Sequence, residues 1–375
     1  MGYRDYSDAG FAKPRVQHNI MALVGNGFDL QVARDYGMKV DTKYTSFYNF
    51  MKLRSFNTSN PILLEMEKLR DDGWQNWSDV EAAVEGMARR GRVSVYDLAS
   101  SLKELQAEFS RFLDMAAPSD LQIRLGEASS KSSLAIGSLQ GFLADLDKMD
   151  FDALRFKDHL DHYNIFNFYF VNFNYTTLLD NLLYLDQDQF DPHPHRWADR
   201  NFNFLTYSGS GIWGDPLSAY VVMDVVHPHG RQDIPRSLLF GVDGPASLEE
   251  FPAPSQRLAK PFWAQSDVRY RHLFQDTELF MVFGSSLGNS DAWWWRNIAE
   301  CLGVERTRIN GGKTFTPELI LYWFNGAGLE LTKEQVVQKF LEVAEVEGVE
   351  QIVGDIYVVL FDASTPRKWL NTLPD

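Results

Sequence analysis

Four short turns along the chain carry residue types that could bind a nucleotide or move a proton. The first turn follows an apolar run and consists of Gly25, Asn26, Gly27, Phe28 and Asp29. Paired glycines let the backbone approach a phosphate with its amides pointing at the anion, and Asp29 could accept a hydrogen bond from ribose. A tight turn with Asp29 capping a helix explains these residues equally well. The third glycine of the dinucleotide-binding fingerprint is absent, since the residue after Asp29 is leucine.

The second turn holds polar side chains directly after an aromatic-rich run. Asn174 and Tyr175 follow Phe173, and Thr176 and Thr177 precede an apolar stretch. Helix capping is the simplest explanation of an asparagine and threonines at this place. Capping does not require both Asn174 and Tyr175, so a role for Asn174 in positioning water or ribose hydroxyls remains open.

The third turn brings two histidines, His227 and His229, to the end of a run rich in valine, with a glycine after them. A histidine at a strand end beside a glycine can act as a general base near neutral pH. A second His-x-His pair, His193 and His195, could complete a metal chelate with the first. Proline stands between the histidines of each pair and no carboxylate follows at metal-site spacing, so we expect no metal site.

The fourth turn, residues 284–288, matches the Gly-x-Ser-x-Gly nucleophile elbow after an apolar run. In α/β-hydrolases the catalytic histidine follows the serine in the chain. Here the last histidine, His272, precedes Ser286, which excludes a serine hydrolase of that type. What remains is a glycine-serine turn that could contact ribose or phosphate. Asp291 begins the next helix, where capping would explain it.

Seven short apolar segments, each followed by a turn signal, must position these turns. Their content of Val, Ile, Leu and Phe predicts buried strands. They are residues 20–24, 166–173, 219–226, 237–241, 279–283, 318–324 and 355–361. Their alternation with helical stretches predicts an α/β fold with a mostly parallel sheet flanked by helices. Ligands collect at the carboxyl ends of such strands, and all four turns would lie there.

A long helical segment separates the first two predicted strands. Apolar residues at spacings of three and four predict amphipathic helices in residues 61–90 and 93–117. The Ser- and Gly-rich residues 126–141 predict a loop, and residues 332–346 predict a last helix. The predicted organisation is a flexible tail at residues 1–17, one α/β nucleotide-binding domain at residues 18–44 and 164–375, and a helical insertion at residues 45–163.

The composition limits the classes of function. With 51 acidic and 36 basic residues the formal charge is −15, which disfavours binding to a DNA or RNA backbone. A single cysteine excludes an internal disulfide and fits a reducing cytoplasm, where we expect the protein. No apolar run approaches the roughly 20 residues of a membrane-spanning helix, so no membrane contact is expected. The aromatic content of 14% fits a homo-oligomer, although a large core would account for much of it.

The order of the four turns resembles the AbiH family of bacterial phage abortive-infection proteins. Gly-Asn-Gly-Phe-Asp, Phe-Asn-Tyr-Thr, His-Gly and Gly-Ser-Ser-Leu-(x)3-Asp succeed one another as in that family. The stretches GMKVDTKYTSF, WSDVE and FGVDG resemble three further blocks, so the similarity runs in scattered blocks from about residue 20 to residue 325. The family is in turn distantly similar to sirtuin-like domains, which cleave NAD at the nicotinamide bond in phage defence systems.

The resemblance implies a Rossmann- or sirtuin-like sheet whose turns act on a nucleotide. Asn174 corresponds to the asparagine at the nicotinamide ribose, and His229 corresponds to the base that acts on that ribose. The turns around the phosphates and the adenosine would be formed by Gly25, Gly27, Gly284, Ser285 and Ser286. The resemblance thus implies NAD or a related nucleotide as the substrate, and no prosthetic group.

Further residues are expected around the same nucleotide. They are Asn26, Phe28, Thr176 and Asp291. Cleavage of an N-glycosidic bond passes through an oxocarbenium-like state, and Asp29 could stabilise its positive charge. Two positions depart from the sirtuin pattern, because Asn26 replaces a small residue and Thr176 stands where that pattern has aspartate.

Two classes of function remain open. In the first, the protein is a nucleotide hydrolase, with NAD as the expected substrate, held inactive until infection. In the second, it is a non-catalytic sensor of a nucleotide or of a phage component, and it acts through its helical insertion and partners. A pure sensor needs no base beside the ribose, so Asn174 and His229 in one cavity would favour the enzyme. A nuclease is disfavoured by the acidic charge and by the lack of a carboxylate cluster for divalent metal.

Overall fold

The computed structural model describes most of the chain. The described residues are 3–6, 16–90, 93–190, 202–204, 207–208, 211–212, 217–241, 258–308, 313–326, 330–345 and 351–374. Eleven strands lie within them: β1 (Gln17–Val24), β2 (Ile165–Asn172), β3 (Phe202–Phe204), β4 (Tyr207–Ser208), β5 (Gly211–Ile212), β6 (Leu217–Val226), β7 (Leu279–Phe283), β8 (Arg306–Thr307), β9 (Thr314–Phe315), β10 (Glu318–Phe324) and β11 (Ile356–Phe361).

The strands form one large sheet and two small hairpins. The large sheet has the spatial order β11-β10-β7-β1-β2-β6-β3. Its first six strands run parallel, and β3 joins β6 in the antiparallel direction at one edge. The hairpins pair β4 with β5 and β8 with β9. The predicted α/β class with a mostly parallel sheet is confirmed.

Helices connect the strands and cover the sheet. Fourteen α-helices lie in the described residues: α1 (Gly27–Asp35), α2 (Tyr44–Leu53), α3 (Pro61–Asp71), α4 (Val80–Arg90), α5 (Val95–Ala116), α6 (Ser119–Ser132), α7 (Leu134–Gln140), α8 (Lys148–Ala153), α9 (Leu178–Leu183), α10 (Lys260–Ala264), α11 (Ser266–Arg269), α12 (Arg271–Phe274), α13 (Ala292–Ala299) and α14 (Lys333–Ala344). The last helix begins with a capping box, in which Thr332 and Gln335 satisfy each other's backbone amides.

Both faces of the large sheet are buried under helices. On one face, α1, α6, α7 and α9 pack against alternate residues of the central strands, among them Ile20 and Phe168. On the other face, α12, α13 and α14 pack against the intervening residues, among them Met21 and Phe280. Because both faces are covered, β1 and β7 are buried along their whole length, and residues 20–24 of β1 and all of β7 are continuous apolar runs.

Helices α2 to α5 form a third apolar core of their own. It is closed by Leu238, Phe240 and Leu258, which come from the second half of the chain. The predicted loop at residues 126–141 is wrong, because these residues continue α6 and form α7, and only Ser133, with φ of 52°, interrupts the helical path. Apolar burial outweighs the weak helix propensity of serine here. The Ser129 hydroxyl is buried and donates to the carbonyl of Leu182 at 2.7 Å.

The strand predicted at residues 237–241 is also wrong. Leu238 and Phe240 point into the core of α2 to α5, while the backbone between them is paired elsewhere. The amide of Leu239 donates to the carbonyl of His229 at 2.8 Å, and the Tyr175 hydroxyl donates to the Leu239 carbonyl at 2.9 Å. Residues 237–241 therefore lie between the third turn and helices α2 to α5 and pair with no strand among the described residues. Their alternating apolar residues reflect burial in the core of those helices.

Residues 3–6, within the predicted flexible tail, are anchored to the folded domain by hydrogen bonds. The Tyr3 ring is buried against the sheet, and its hydroxyl lies 2.9 Å from that of Thr277. Burial raises the pKa of the Tyr3 phenol far above its ordinary value. None of the helices in the described part of the chain combines the length and apolar character that a membrane crossing needs.

Candidate functional site

Four turns meet at one edge of the sheet, because they follow four neighbouring parallel strands. In the order β7-β1-β2-β6, each strand ends in one of the polar turns found in the sequence. Hydrogen bonds then join the turns to one another in pairs. This edge, formed by residues 25–29, 173–177, 227–230 and 284–291, is called the carboxyl edge below.

The glycines of the first and fourth turns allow two backbones to touch. The Gly27 amide donates to the Gly284 carbonyl at 2.7 Å, and the Phe28 amide donates to the Gly25 carbonyl at 3.1 Å. A Cβ atom on Gly25 would lie 2.8 Å from the Gly284 oxygen. Gly284 itself has φ of +67°, the left-handed region that glycine tolerates best. A phosphate at this turn would compete with these internal bonds, so phosphate binding by Gly25 and Gly27 stays a prediction.

The close approach makes a stability prediction. In Gly27→Ala the new Cβ would lie 2.6 Å from the Gly284 Cα, so we expect a loss of about 1–3 kcal/mol in the free energy of unfolding. Gly288→Ala is the matched control, because its nearest atom, the Ser286 Oγ, is 3.7 Å away. We expect that change to stay within about 0.5 kcal/mol. Urea denaturation measures the free energy of unfolding of both variants. Equal losses in the two would contradict the packing explanation.

Asn174 connects the second turn to the first. Its Nδ2 donates to the Gly25 carbonyl at 3.2 Å, and its own amide donates to the Oδ1 of Asn172 at 3.0 Å. The capping explanation is wrong for Asn174, because α9 has Thr177 at its N-cap and no side-chain cap there. Asn26 is exposed, and its Oδ1 accepts from the Thr42 hydroxyl at 2.5 Å.

Asp29 is buried against Thr176. The Thr176 hydroxyl donates to the Asp29 Oδ2 at 2.7 Å, and the two residues are 0% and 1% exposed respectively. The other carboxylate oxygen, Oδ1, has no hydrogen-bond partner among the described residues. Burial raises the pKa of Asp29 from 3.8 to about 7, against the bond from Thr176. Asp29 does not cap α1, which has Asn26 at its N-cap, so the capping explanation is wrong here too.

His227 and Asp180 extend the hydrogen-bonded group of Asp29 and Asn174. His227 places Nε2 at 2.9 Å and 3.0 Å from the two carboxylate oxygens of Asp180, and its Nδ1 lies 3.2 Å from the Asn174 carbonyl. Both partners are hydrogen-bond acceptors, and the tautomer of His227 decides which ring nitrogen donates. Asp180 was not among the site residues predicted from the sequence. An aspartate within the apolar stretch of α9 was the only signal, and solvent exposure would explain it as well.

His229 lies in a separate buried cluster of charges. Its Nε2 is 3.3 Å from the Oδ1 of Asp291, and the same oxygen is 3.1 Å from the Nζ of Lys260. Lys260 also reaches Glu81 of α4 at 3.1 Å. Burial and then the charge of Lys260 lower the pKa of His229 to about 3, so the ring is neutral at physiological pH. Asp291 occupies the N-cap position of α13 as predicted, but its side chain makes no capping hydrogen bond and pairs with these groups instead.

Contacts within the cluster favour the charged forms of Lys260 and Asp291. Burial opposes the charge of Lys260, but Asp291 and Glu81 more than offset it and raise its pKa. Burial would raise the pKa of Asp291, yet Lys260 and then His229 bring it below its ordinary value. Burial raises the pKa of Glu81. Neither Lys260 nor Glu81 was predicted from the sequence as a site residue. The two lie far apart in the chain, and no local sequence pattern indicates that they are in contact.

The aromatic residues on either side of Asn174 separate the group of Asp29, Asn174 and His227 from the charged cluster around His229. The ring of His229 stacks on Phe173 at 5.2 Å between centroids and approaches Tyr175 at 6.3 Å. The Asn174 amide points to Gly25 instead. His229 is therefore packed beside the residues that flank Asn174, while its own polar contact is with Asp291.

The remaining predicted residues differ in accessibility. Phe28 is fully buried in the core, so only its backbone could reach a ligand. Ser285 accepts from the Leu287 amide at 3.0 Å, and Ser286 is exposed at the carboxyl edge. Among the described residues no group of three His, Cys, Asp or Glu side chains is placed to hold a metal ion. His193 and His195 lie outside the described residues.

Comparison with known proteins identifies a family. The family model described as "Bacteriophage abortive infection AbiH" matches residues 21–310, which is more than half of the chain and includes all four turns. No curated protein and no solved structure matches the chain.

Proposed function

Since the chain belongs to the AbiH family of bacteriophage abortive infection proteins, we propose that it acts in abortive infection by hydrolysing the N-glycosidic bond of a nucleotide at the carboxyl edge. The expected substrate is NAD or a related nucleotide, and the bond is the one to nicotinamide. Loss of that nucleotide would stop the infected cell. The choice of NAD over other nucleotides rests on the resemblance of the four turns to sirtuin-like domains that was inferred from the sequence.

The observation that carries the proposal is the burial, hydrogen bonding and raised pKa of Asp29. It is fully buried, one oxygen is fixed by Thr176, and the other has no hydrogen-bond partner among the described residues. Its pKa of about 7 lies near the working pH, where a general base is most effective. A buried carboxyl group held in this way is costly for the fold and is typical of a functional site.

The proposed reaction uses Asp29 as the base. The oxygen of a water attacks the anomeric carbon of the ribose while the bond from that carbon to the nicotinamide nitrogen breaks. The bonding electron pair moves to the ring nitrogen, so nicotinamide leaves as a neutral molecule. The proton of the water passes to the Oδ1 of Asp29. The carboxylate also stabilises the positive charge that develops on the ribose.

Two neighbouring groups position the reactants. Asn174 is fixed by its bond to Gly25, and its carbonyl accepts from His227, which in turn is held by Asp180. Holding the water and the ribose in the reactive geometry reduces the entropic cost of bringing them together. We assign no base role to His229, because a ring with a pKa of about 3 has little tendency to take a proton at neutral pH.

Base release from a panel of nucleotides tests the proposal. NAD, NADP, ATP and free nucleosides are incubated with the purified protein, and each released base is separated by chromatography. We expect nicotinamide from NAD or NADP, and a loss of about 100-fold in kcat for Asn174→Ala, because the reactants are then misplaced. Asp72→Asn is the comparison, since Asp72 is exposed at the end of α3 and lies outside the carboxyl edge. Release of bases from nucleosides alone would contradict the choice of substrate.

A sensor remains the second candidate, and the burial of the site favours it. Asp29 and His229 are only 1% and 5% exposed, so the described conformation is closed to a substrate. In this alternative the protein binds a nucleotide or a phage component and signals through α2 to α5, to which Lys260 and Glu81 connect the carboxyl edge. Tight binding of NAD without any release of nicotinamide would favour the sensor.

A further inference from the structure

A small polar cavity lies at the amino ends of the strands, at the end of the sheet opposite the carboxyl edge. It has a volume of about 190 Å³. It is lined by Glu278, which directly precedes β7, by residues of the 3-10 helix Phe156–His159, and by the hairpin of β8 and β9 with its flanking residues. Phe156 and Phe315 supply its apolar surface. The cavity is therefore separate from the site proposed for the nucleotide.

Arg155 presents a fixed guanidinium group to the cavity. Its Nη2 lies 2.5 Å from the Oδ1 of Asp355, and its Nε lies 3.4 Å from the Oε1 of Glu318. These contacts orient the guanidinium plane and leave Nη1 without a partner among the described residues. The side chain is 49% exposed, so a ligand can reach it. A guanidinium held in this way is suited to binding a carboxylate.

Three further side chains line the cavity and make no side-chain hydrogen bond with the described residues. They are His159, Thr314 and Thr316. Thr314 is exposed, and the other two are half-buried. Burial and then the charge of Arg308 lower the pKa of His159, so its neutral ring has one donor and one acceptor. The cavity therefore holds several hydrogen-bond donors that are not used within the described structure.

The two carboxylates that line the cavity differ in their surroundings. Glu278 is buried, and its two oxygens accept from Arg308 at 2.9 Å and 2.7 Å, while its Oε2 lies 3.0 Å from the Nδ1 of His18. Its charge is compensated by these contacts. Glu305 is exposed and has no ion pair among the described residues. Beside its unused donors, the cavity thus has one carboxylate without a counter-charge.

We propose that this cavity binds a free α-amino acid with an aliphatic side chain. The carboxylate of the ligand would accept from Arg155, Thr314 and Thr316. Its ammonium group would donate to Glu305, and its side chain would contact the rings of the two phenylalanines. A simple anion would meet Glu305 as a like charge, whereas the ammonium group of an amino acid compensates that charge. The proposal does not depend on the reaction assigned to the carboxyl edge.

Calorimetric titration of the intact protein tests the ligand class. The probes are leucine, isocaproate, which lacks the amino group, isoamylamine, which lacks the carboxylate, and inorganic phosphate. We expect leucine to bind, and isocaproate and isoamylamine to bind at least about tenfold more weakly, because each loses one charged contact. Binding of isocaproate or phosphate as tight as that of leucine would indicate a site for anions and overturn the proposal. Failure of leucine to bind at about 10 mM would overturn it as well.

Variants of exposed or half-buried residues locate the binding. Glu305→Gln should weaken leucine by about tenfold, and Thr316→Val, which keeps the shape and removes the hydroxyl, by about fivefold. Glu300→Gln is the matched control, because Glu300 is an exposed acid at the end of α13 that does not line the cavity, and it should leave the affinity unchanged.

Amide hydrogen exchange gives an independent location. Leucine should slow exchange in residues 314–316 and leave residues 25–29 unchanged. Slowing at residues 25–29 alone would place the amino acid at the carboxyl edge and overturn the proposal. Unchanged affinity in both Glu305→Gln and Thr316→Val would also overturn it.

Discussion

Replacement of Asp29 by asparagine is expected to abolish nucleotide hydrolysis and to stabilise the fold at neutral and alkaline pH. Asparagine keeps an oxygen for the Thr176 hydroxyl but cannot take a proton from water. The folded protein holds the Asp29 proton more tightly than the unfolded chain does, because the pKa rises from 3.8 to about 7. The stability of the parent therefore falls between these two pH values, at about 1.4 kcal/mol per unit of pKa shift, and the variant escapes that loss.

Urea denaturation at pH 5 and pH 8 measures this difference. The advantage of Asp29→Asn over the parent should be larger at pH 8, where the parent must ionise a buried carboxyl group. Asp72→Asn removes an exposed carboxylate and serves as the control, with no expected effect beyond about 0.5 kcal/mol. A variant less stable than the parent at pH 8 would show that the ionised carboxylate supports the fold, and would remove the main support for a catalytic role.

Replacement of Lys260 by methionine is expected to destabilise the protein by about 3–5 kcal/mol, the usual cost of leaving buried charges without a partner. Lys260 is 3% exposed and holds two carboxylates, Glu81 on α4 and Asp291 on the fourth turn. Without it the pKa of both acids rises, and at low pH they accept protons. The loss of stability should therefore be smaller at pH 5 than at pH 8.

A double-variant comparison tests whether the charge is the cause. Glu81→Gln should recover part of the loss in Lys260→Met, because one of the two unpaired carboxylates is then gone. Lys131→Met, at a side chain 75% exposed, is the control and should cost less than about 0.5 kcal/mol. Additive losses from Lys260→Met and Glu81→Gln would mean that the two residues stabilise the fold independently, contrary to the contacts described above.

The sheet could be predicted from the sequence because its strands are buried on both faces. The runs at residues 279–283 and 318–324 coincide with β7 and β10, since continuous apolar character is what a covered parallel strand requires. The segment at residues 237–241 misled the prediction, because Leu238 and Phe240 alternate as in a strand but serve the core of α2 to α5. A pattern shows which side chains are buried, without showing what covers them.

The carboxyl edge could be predicted in outline and not in its internal contacts. Turn residues follow strand ends in the sequence, so their meeting at one edge follows from the parallel sheet. The contact of Gly27 with Gly284 and the ion pair of Lys260 with Glu81 join residues far apart in the chain. Such pairs depend on tertiary packing, and a single sequence holds no local trace of them.

Nicotinamide release from NAD, followed between pH 5 and pH 9 with the parent protein and with Asp29→Asn, tests the central claim most directly. The proposed mechanism predicts release by the parent that rises with pH through a midpoint near 7, since the base must lose its proton, and no release by the variant. Release that persists in Asp29→Asn, or that falls as the pH rises, would contradict the assignment of Asp29 as the base. Absence of release from the parent, even with extract of phage-infected cells added, would contradict the enzyme and leave the sensor.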